Sequence, residues 1–250
     1  MEDRKKALLH VEALILLLRG VGVDRMMAYH DDPIFLGILQ SFVEPGELSL
    51  SILPYYSLFK GDVEVGLMNE MKYDAATIGN HEFDYGMDNM VRLFKMAKFP
   101  IVCANYDFTG TELADIVKPY VILHRKGLKI GVFGLAPQLA GLVIEKNYGC
   151  IQYLDPIQKA NEMTEILKKK EKCDVIICIS HLGWNIDGTD DTEVIAASRN
   201  IDLVLGGHSH SLFRTLKYRT DLDGKQVPVD QNGKGAIWVG KMTLDIVKNK

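Results

Sequence analysis

Histidine is concentrated in three short polar segments of this sequence, and each segment follows an apolar run. Four of the seven histidines lie in these segments, which are residues 79–84, 180–184 and 206–210. A neutral imidazole is the commonest ligand for transition metals, and amide or carboxylate oxygens suit harder cations. The segments contain both kinds of donor, and the sequence therefore indicates a metal site. The candidate residues are Asn80, His81, Asp84, His181, His208 and His210.

Each segment also has a simpler interpretation. A single histidine after a strand, such as His181, is more often a hydrogen-bonded residue at the edge of the core. Gly-His-Ser-His at 207–210 could be an exposed polar loop, although glycine allows sharp turns and two imidazoles at i and i+2 can reach neighbouring metals. Asp84 could cap the helix that follows it. The three segments together favour the metal site over these alternatives.

The elements that position these segments alternate along the chain. Continuous apolar runs, typical of strands covered on both faces, alternate with helical patterns. This alternation predicts βαβ units and an α/β fold, and open sheets of that kind bind ligands beyond the carboxyl ends of their strands. The predicted strands are residues 100–104, 129–135, 174–179 and 202–205, and the predicted helices are 62–72, 87–98 and 156–170, the last with Asp155 as its N-cap.

The two ends of the chain give different patterns. Asp223-Gly224 is a turn signal, residues 236–247 read as a strand, and together they predict a hairpin or meander that closes the sheet. Residues 1–54 show no regular rhythm of strands and helices. The apolar stretch at residues 13–18 is too short to span a bilayer and lacks a signal-peptide cleavage site, and we expect a helix there.

Composition excludes several functional classes. The chain has 250 residues, a formal charge of −4, 47% hydrophobic residues and 25% charged residues, which is typical of one or two globular domains. A slightly acidic chain has no electrostatic footprint for nucleic acid. Its four cysteines show no CxxC spacing, so a zinc-cysteine site or a disulfide scaffold is not expected.

The three segments resemble, in order, the signatures of the calcineurin-like metallophosphoesterases. The motifs are Gly-Asn-His-Glu-Phe-Asp-Tyr-Gly at 79–86, Ser-His-Leu-Gly at 180–183 and Gly-Gly-His-Ser-His at 206–210. Tyr-Asp-Ala-Ala-Thr-Ile at 73–78, Ala-Asn-Tyr at 104–106 and Gly-Val-Phe-Gly-Leu at 131–135 narrow the resemblance to the 5′-nucleotidase branch. The resemblance extends from Pro54 to about Val247.

The resemblance implies a fold, a metal centre and a reaction. The fold would be a four-layer αββα sandwich with two divalent metals (Zn, Mn, Mg or Co) at the carboxyl ends of the strands. Asn80, His181 and His208 would bind one metal and His210 the other, while His81 would face the substrate phosphate and Asp84 would orient it. The implied reaction is hydrolysis of a nucleotide phosphomonoester by in-line attack of a metal-bound hydroxide.

The beginning of the chain departs from the family pattern. The family's first signature is Asp-any-His, and no such triplet occurs in this sequence. Its second signature is Gly-Asp, and the sole Gly-Asp here is Gly61-Asp62, which we interpret as the start of a helix with Asp62 as a cap residue. We therefore divide the chain into an atypical segment at 1–53, through frameshift, truncation or divergence, and a catalytic domain at 54–250. The second metal site is expected to be depleted.

Several functions stay open at this point. The leading hypothesis is a 5′-nucleotidase, and a phosphodiesterase or nucleotide-sugar hydrolase of the same branch is the alternative among enzymes. An impaired or inactive relative that binds only metal, nucleotide or a partner is the alternative of another class. The expected partners are a small phosphorylated substrate and a separately encoded substrate-binding domain, with no nucleic acid and no membrane span. No export signal is recognised, although full-length relatives are usually exported.

Overall fold

The computed structural model describes residues 8–15, 58–233 and 240–247. Its strands are β1 Leu8–Ile15, β2 Tyr106–Asp107, β3 Tyr120–Arg125, β4 Leu128–Leu135, β5 Gln152–Tyr153, β6 Val175–Ser180, β7 Leu203–Leu205, β8 Lys217–Thr220, β9 Gln226–Asp230 and β10 Gly240–Val247. Its α-helices are α1 Asp62–Glu70, α2 Gly86–Met96, α3 Leu113–Ile116, α4 Glu145–Tyr148, α5 Pro156–Glu165 and α6 Asp191–Ala196. A 3-10 turn spans His81–Phe83, and a π-helical turn at Ile166–Lys170 extends α5.

A six-stranded sheet forms the centre of the described part of the chain, with strand order β3-β4-β6-β7-β9-β8. Strands β4, β6, β7 and β9 are parallel, and β3 and β8 pair antiparallel at the two edges. The inner strands are buried on both faces, which is why their sequences are continuous apolar runs. The parallel arrangement brings the carboxyl ends of β6 and β7 to the same edge.

Alternate residues of each inner strand contribute to different hydrophobic clusters. In β6, Ile177 and Ile179 face a cluster that also contains Ala75, Val102 and Met242. The intervening residues of β6 pack with α5 and α6 on the opposite face of the sheet. This period of two places one face of the sheet against further β structure and the other face against helices.

The second β layer lies between the central sheet and helices α1 and α2. It contains the antiparallel pair β1–β10 and a parallel bridge between Ala76 and Ile101. Ala76 and Ile101 pack with residues of α1 and α2 in a third cluster, which includes Met68 and Leu93. The layers therefore follow the order α, β, β, α, and the predicted α/β class is confirmed.

The helix predicted for the apolar stretch at residues 13–18 is wrong within the described part. Residues Leu8–Ile15 form β1, which pairs antiparallel with β10 from Leu8 opposite Val247 to Ile15 opposite Gly240. The sequence of β1 alternates apolar residues with His10 and Glu12, which is the period of a strand. Residues 16–57, which include the predicted division between 53 and 54, lie outside the described residues.

Most other predicted elements are found near their expected positions. Helices α1, α2 and α5 with its π-turn match the three predicted helices, and the Asp155 carboxylate caps α5 by accepting from the backbone N–H groups of Ile157 and Gln158. Asp223-Gly224 lies in the turn of the β8–β9 hairpin. The predicted strand at 100–104 forms only isolated bridges, and residues 236–239 lie outside the described residues.

Candidate metal and phosphate site

The three histidine-bearing segments come together at the carboxyl edge of the β structure. His81 follows the bridge residue Ala76 by one short turn, His181 directly follows β6, and the third segment follows β7. Burial, and then the nearby His208, His81 and His210, lower the pKa of His181 well below its usual value. Each of these histidines is therefore close enough to His181 to act on it electrostatically.

His181 and His208 form the closest imidazole pair of this group. Their ring centroids are 5.1 Å apart and the rings are tilted by 53°. His181 is buried, whereas His208 is partly exposed. Two positive charges at this distance would repel each other, and burial penalises the charged form further. The lowered pKa therefore keeps the His181 imidazole neutral, which is the form that binds a metal ion.

Asn80 and His181 each place a buried polar atom at this edge that makes no hydrogen bond within the described structure. These atoms are Oδ1 of Asn80 and Nδ1 of His181. Leaving a buried acceptor unsatisfied costs free energy of the order of 1–3 kcal/mol, so native proteins retain such atoms mainly where a ligand or water completes the site. An amide oxygen and an imidazole nitrogen are both suitable donors for a divalent metal. The residues present therefore fit a metal ion.

The donor set is poor in carboxylates. Among the described residues, no group of three or more His, Cys, Asp or Glu side chains is arranged to hold a metal ion. Asp62 does not contribute, because it starts α1 and its carboxylate pairs with Arg92 of α2. Gly61, with a φ of +99°, occupies the N-cap position of α1, so the expected capping role of Asp62 is wrong.

His81 is bound to Asp84 through its Nδ1 atom. The distance from Nδ1 to Asp84 Oδ2 is 3.0 Å, and the imidazole is buried while the carboxylate is about a third exposed. A carboxylate only accepts, so Nδ1 carries the proton in this hydrogen bond. Asp84 does not cap α2, whose N-cap position is Tyr85.

Glu82 closes the turn that carries Asn80 and His81, and this role was not predicted from the sequence. Its Oε2 atom accepts from the backbone N–H of Gly79 at 2.6 Å. Burial raises the pKa of Glu82, and the hydrogen bond from Gly79 opposes that change. A Cβ atom on Gly79 would lie 2.8 Å from Nε2 of His181, so this position admits only glycine without movement of its neighbours. The sequence carried one sign of this hydrogen bond, namely that Glu82 follows Gly79 by three residues.

Residues 206–213, which follow β7, form the histidine loop. His208 and His210 both adopt left-handed backbone conformations, with φ of +68° and +54°. Non-glycine residues rarely adopt such values, and they persist only where the surroundings impose them. Gln231, buried at the end of β9, contacts this loop and was also missed, because a single glutamine after a strand matches no motif.

Asp191 is a buried carboxylic acid beside the same strand ends. Burial is the main cause that raises its pKa to about 7, and a hydrogen bond with Ser180 opposes this. Its Oδ2 atom has no hydrogen-bond partner among the described residues, and a Cβ atom on Gly206 would lie only 2.6 Å away. Asp191 therefore fills the space between β6 and the histidine loop in its protonated form up to about neutral pH.

No helix in the described ranges is both long and apolar enough to cross a membrane. The site thus stands in a domain whose observed helices are short and amphipathic or partly exposed. The longest regular helix, α2, has 11 residues and buries Met90, Leu93 and Phe94.

Comparison with known protein sequences relates this chain to phosphoesterases and nucleotidases. The family model described as calcineurin-like phosphoesterase matches residues 42–212. An apyrase from Tabanus yao is 34% identical over 211 residues, which cover 78% of this chain and 37% of the apyrase. A 5′-nucleotidase from Vibrio cholerae serotype O1 is 35% identical over 153 residues, covering 57% of this chain and 27% of that protein. This chain thus spans about a third of the length of these relatives.

The fold is also shared with solved structures. The crystal structure of a 5′-nucleotidase precursor from Thermus thermophilus superimposes with a TM-score of 0.74 and 21% sequence identity, covering 96% of this chain and 55% of that one. At 21% sequence identity, this similarity shows a shared fold only.

Proposed function

Because the chain belongs to the calcineurin-like phosphoesterase family, we propose that it is a metal-dependent phosphohydrolase that acts on nucleotide phosphomonoesters. The observation that carries the proposal is a pair of buried donors, Asn80 Oδ1 and His181 Nδ1, which lie beside the His81–Asp84 pair and have no hydrogen-bond partner among the described residues. The names of the two relatives, apyrase and 5′-nucleotidase, support a nucleotide as the substrate.

The proposed ligands come from three separate elements. Asn80, His181 and His208 would hold one divalent metal, and His210 would contribute to a second, depleted site. A bound metal would supply acidity to a coordinated water and would neutralise charge on the phosphoryl oxygens. The chain's own contribution is to keep the His181 imidazole neutral and buried, which burial and the neighbouring histidines achieve.

His81 is proposed to act on the phosphoryl group. Its Nδ1–H donates to Asp84, which fixes the ring orientation. An imidazole held in this way could donate to a phosphoryl oxygen or to the leaving oxygen. The turn closed by Glu82 and Gly79 holds His81 next to Asn80, so the residue proposed to face the phosphate lies beside a proposed metal ligand.

An impaired relative that only binds is the second candidate, and a specific observation favours it. The described residues contain no metal-holding group of three or more acidic, histidine or cysteine side chains, and Asp62 of the sole Gly-Asp is engaged by Arg92. Loss of carboxylates would weaken metal binding more than it would disturb the fold. Binding of metal or nucleotide could then survive without turnover.

The substrate within the branch is a further proposal. A phosphodiester or a nucleotide sugar would require the same phosphate chemistry at His81 and the metal ligands. This chain spans about a third of the length of these relatives, whose names include both an apyrase and a 5′-nucleotidase. The assay below therefore compares several phosphoesters.

The proposal is tested by measuring hydrolysis by the purified full chain with added Mn²⁺. AMP, a cyclic nucleotide, a nucleotide sugar and a generic phosphodiester are the substrates. AMP yields inorganic phosphate and the other three yield phosphomonoesters, so the products are separated and quantified by chromatography. We expect hydrolysis of AMP to be faster than hydrolysis of the others, and His81→Ala to reduce turnover about 10²-fold or more while bound Mn²⁺ changes little. His124→Ala is the matched control, because His124 is an exposed residue of β3.

The outcomes separate the candidates. Mn²⁺ binding without hydrolysis of any of these substrates, at high enzyme concentration, would favour the impaired relative. Faster hydrolysis of a diester than of AMP would overturn the choice of substrate alone. Equal turnover by His81→Ala and the unchanged protein would remove the role proposed for His81.

A further inference from the structure

The histidine loop is anchored to a single buried side chain, that of Gln231. Gln231 is 1% exposed. Its Nε2 atom donates to the Gly207 carbonyl at 2.8 Å, and its Oε1 atom accepts from Ser209 Oγ at 2.8 Å and from Ser211 N–H at 2.5 Å. Its backbone carbonyl accepts from Phe213 N–H at 2.9 Å. One residue therefore fixes the loop at four points.

The four anchored residues alternate with the histidines. Residues 207, 209, 211 and 213 bind Gln231, and His208 and His210 occupy the positions between them. Both histidines have left-handed φ angles, and Ser209 N–H donates to the Gly207 carbonyl at 2.7 Å in a tight turn around His208. Without external anchoring, non-glycine residues would leave these conformations for more favourable ones. These anchor points, together with the hydrogen bonds from Gly206 N–H to the Asp230 carbonyl and from Gly233 N–H to the Ser211 carbonyl, hold the loop in this shape.

The same network reaches the segment that carries His181. The backbone N–H of Trp184 donates to Ser209 Oγ at 3.0 Å, and that hydroxyl in turn donates to Gln231 Oε1. His181 lies three residues before Trp184, and its ring is 5.1 Å from that of His208. Gln231 therefore connects the loop after β6 to the loop after β7 through one hydroxyl group.

We propose that Gln231 is a positioning residue that sets the spacing of His181, His208 and His210. This inference rests on the proposed function, because it takes those histidines as metal ligands. Residues that hydrogen-bond to the surroundings of metal ligands typically change metal affinity or activity by about 10–100-fold when they are replaced. Gln231 differs from such partners in that it acts through the backbone and through Ser209, and not on an imidazole nitrogen.

The test compares four variants of the full chain. Gln231→Leu keeps the side-chain size and removes all three side-chain hydrogen bonds, while Gln231→Glu keeps the two acceptor contacts to Ser209 and Ser211. Gln226→Leu is the matched control, since Gln226 begins the same strand, is exposed and lies away from the loop. Val229→Ala controls for general destabilisation, because Val229 is a buried core residue of β9 without a side-chain hydrogen bond.

The first readout uses metal-free protein and does not depend on activity. Side-chain NMR signals of the histidines, assigned with single His→Gln variants, are compared between variants. We expect the signals of His208 and His210 to shift and broaden in Gln231→Leu, and to stay unchanged in Gln226→Leu and Val229→Ala. The signal of the exposed His124 should not move in any variant. Unchanged His208 and His210 signals in Gln231→Leu would overturn the proposal.

The second readout is Mn²⁺ affinity measured by calorimetric titration. We expect Gln231→Leu to lose about 10-fold or more in affinity and Gln231→Glu to recover part of that loss. An equal loss in Val229→Ala would show that the effect is general destabilisation and would reject the positioning role. If the unchanged protein binds no Mn²⁺, the proposed function fails, and the NMR comparison alone decides the role of Gln231.

Discussion

The hydrogen bond between His81 Nδ1 and Asp84 Oδ2 fixes the orientation of the imidazole. A carboxylate at 3.0 Å both orients the ring and places a negative charge beside it, and the two effects can be separated by replacing the acid with its amide. An amide oxygen can still accept from Nδ1–H, but it carries no charge. The charge of Asp84 is therefore the quantity to test.

We expect Asp84→Asn to reduce kcat for AMP by about 10–10²-fold, with little change in KM, because the charge supports a role in turnover more than in binding. Asp88→Asn is the matched control, since Asp88 is an exposed acid in the first turn of α2. Initial-rate measurements at several AMP concentrations give both constants. Similar kcat values for the two variants would show that the charge of Asp84 is not needed for turnover.

Gly79 and Gly66 make a matched pair for testing how closely the histidine-bearing segments pack. A Cβ atom on Gly79 would lie 2.8 Å from His181 Nε2 and 3.0 Å from Glu82 Oε2, whereas no described atom lies within 4 Å of the corresponding position on Gly66 in α1. We expect Gly79→Ala to destabilise the protein by about 1–3 kcal/mol. Gly66→Ala should stabilise it by up to about 1 kcal/mol, because alanine favours a helix interior.

The measurement is urea unfolding of both variants, accompanied by Mn²⁺ titration. Gly79→Ala should also weaken Mn²⁺ binding, because the added methyl group displaces the His181 ring. A Gly79→Ala variant as stable as Gly66→Ala, with unchanged Mn²⁺ affinity, would mean that the turn has room to relax and that this packing does not set the position of His181.

At the scale of elements, the first turn of α6 places Asp191 between β6 and the histidine loop, and its burial couples stability to pH. Its pKa is raised from 3.8 to about 7 in the folded protein. The folded state therefore holds a proton that the unfolded state releases near pH 4, so this group favours folding at low pH. That contribution is lost as pH rises from about 4 through about 7, by at most about 1.4 kcal/mol per pH unit.

We expect the free energy of unfolding to decrease between pH 5 and pH 8 in the unchanged protein, and to decrease less in Asp191→Asn, which cannot ionise. Asp187→Asn is the control, because Asp187 is exposed in the loop before α6. Urea unfolding at several pH values provides the comparison. Parallel pH profiles for the unchanged protein and Asp191→Asn would show that Asp191 is ionised or solvated throughout.

Strands β4, β6 and β7 were predictable because their burial on both faces leaves a local signature of continuous apolar residues. Helix α5 was predictable because its cap, Asp155, is adjacent in the sequence. Strand β1 was not, since what fixes it is pairing with β10 at the other end of the chain. A short apolar stretch that alternates over only a few residues is compatible with helix or strand, and a distant partner decides.

The same distinction applies to the site. The polar segments could be expected to meet because parallel strands bring their carboxyl ends to one edge, and His181 does lie near His81, His208 and His210. The anchoring by Gln231 could not be expected. The partners of its side chain lie 20–24 residues upstream, and several of the hydrogen bonds use backbone atoms. Side chains that act on backbone leave little trace in a single sequence.

At the scale of the whole molecule, the proposed ligands join different layers of the fold. Asn80 extends from the second β layer, and His181 and His208 extend from the central sheet. A metal held by all three would connect the two β layers at one edge, in addition to the hydrophobic cluster between them. Metal binding should therefore be coupled to the stability of the entire domain and not only to the local order of its loops.

This coupling predicts that Mn²⁺ raises the melting temperature of the full chain. A ligand at 100 times its dissociation constant stabilises the native state by about 2.7 kcal/mol, which corresponds to roughly 5–10 °C for a domain of this size. His208→Ala should lose most of this increase, whereas His124→Ala, in the exposed part of β3, should retain it. Differential scanning calorimetry with Mn²⁺ and with EDTA measures the effect. A melting temperature that does not respond to Mn²⁺ would mean that the three donors never share a metal, and a response that His208→Ala leaves intact would place the metal elsewhere in the chain.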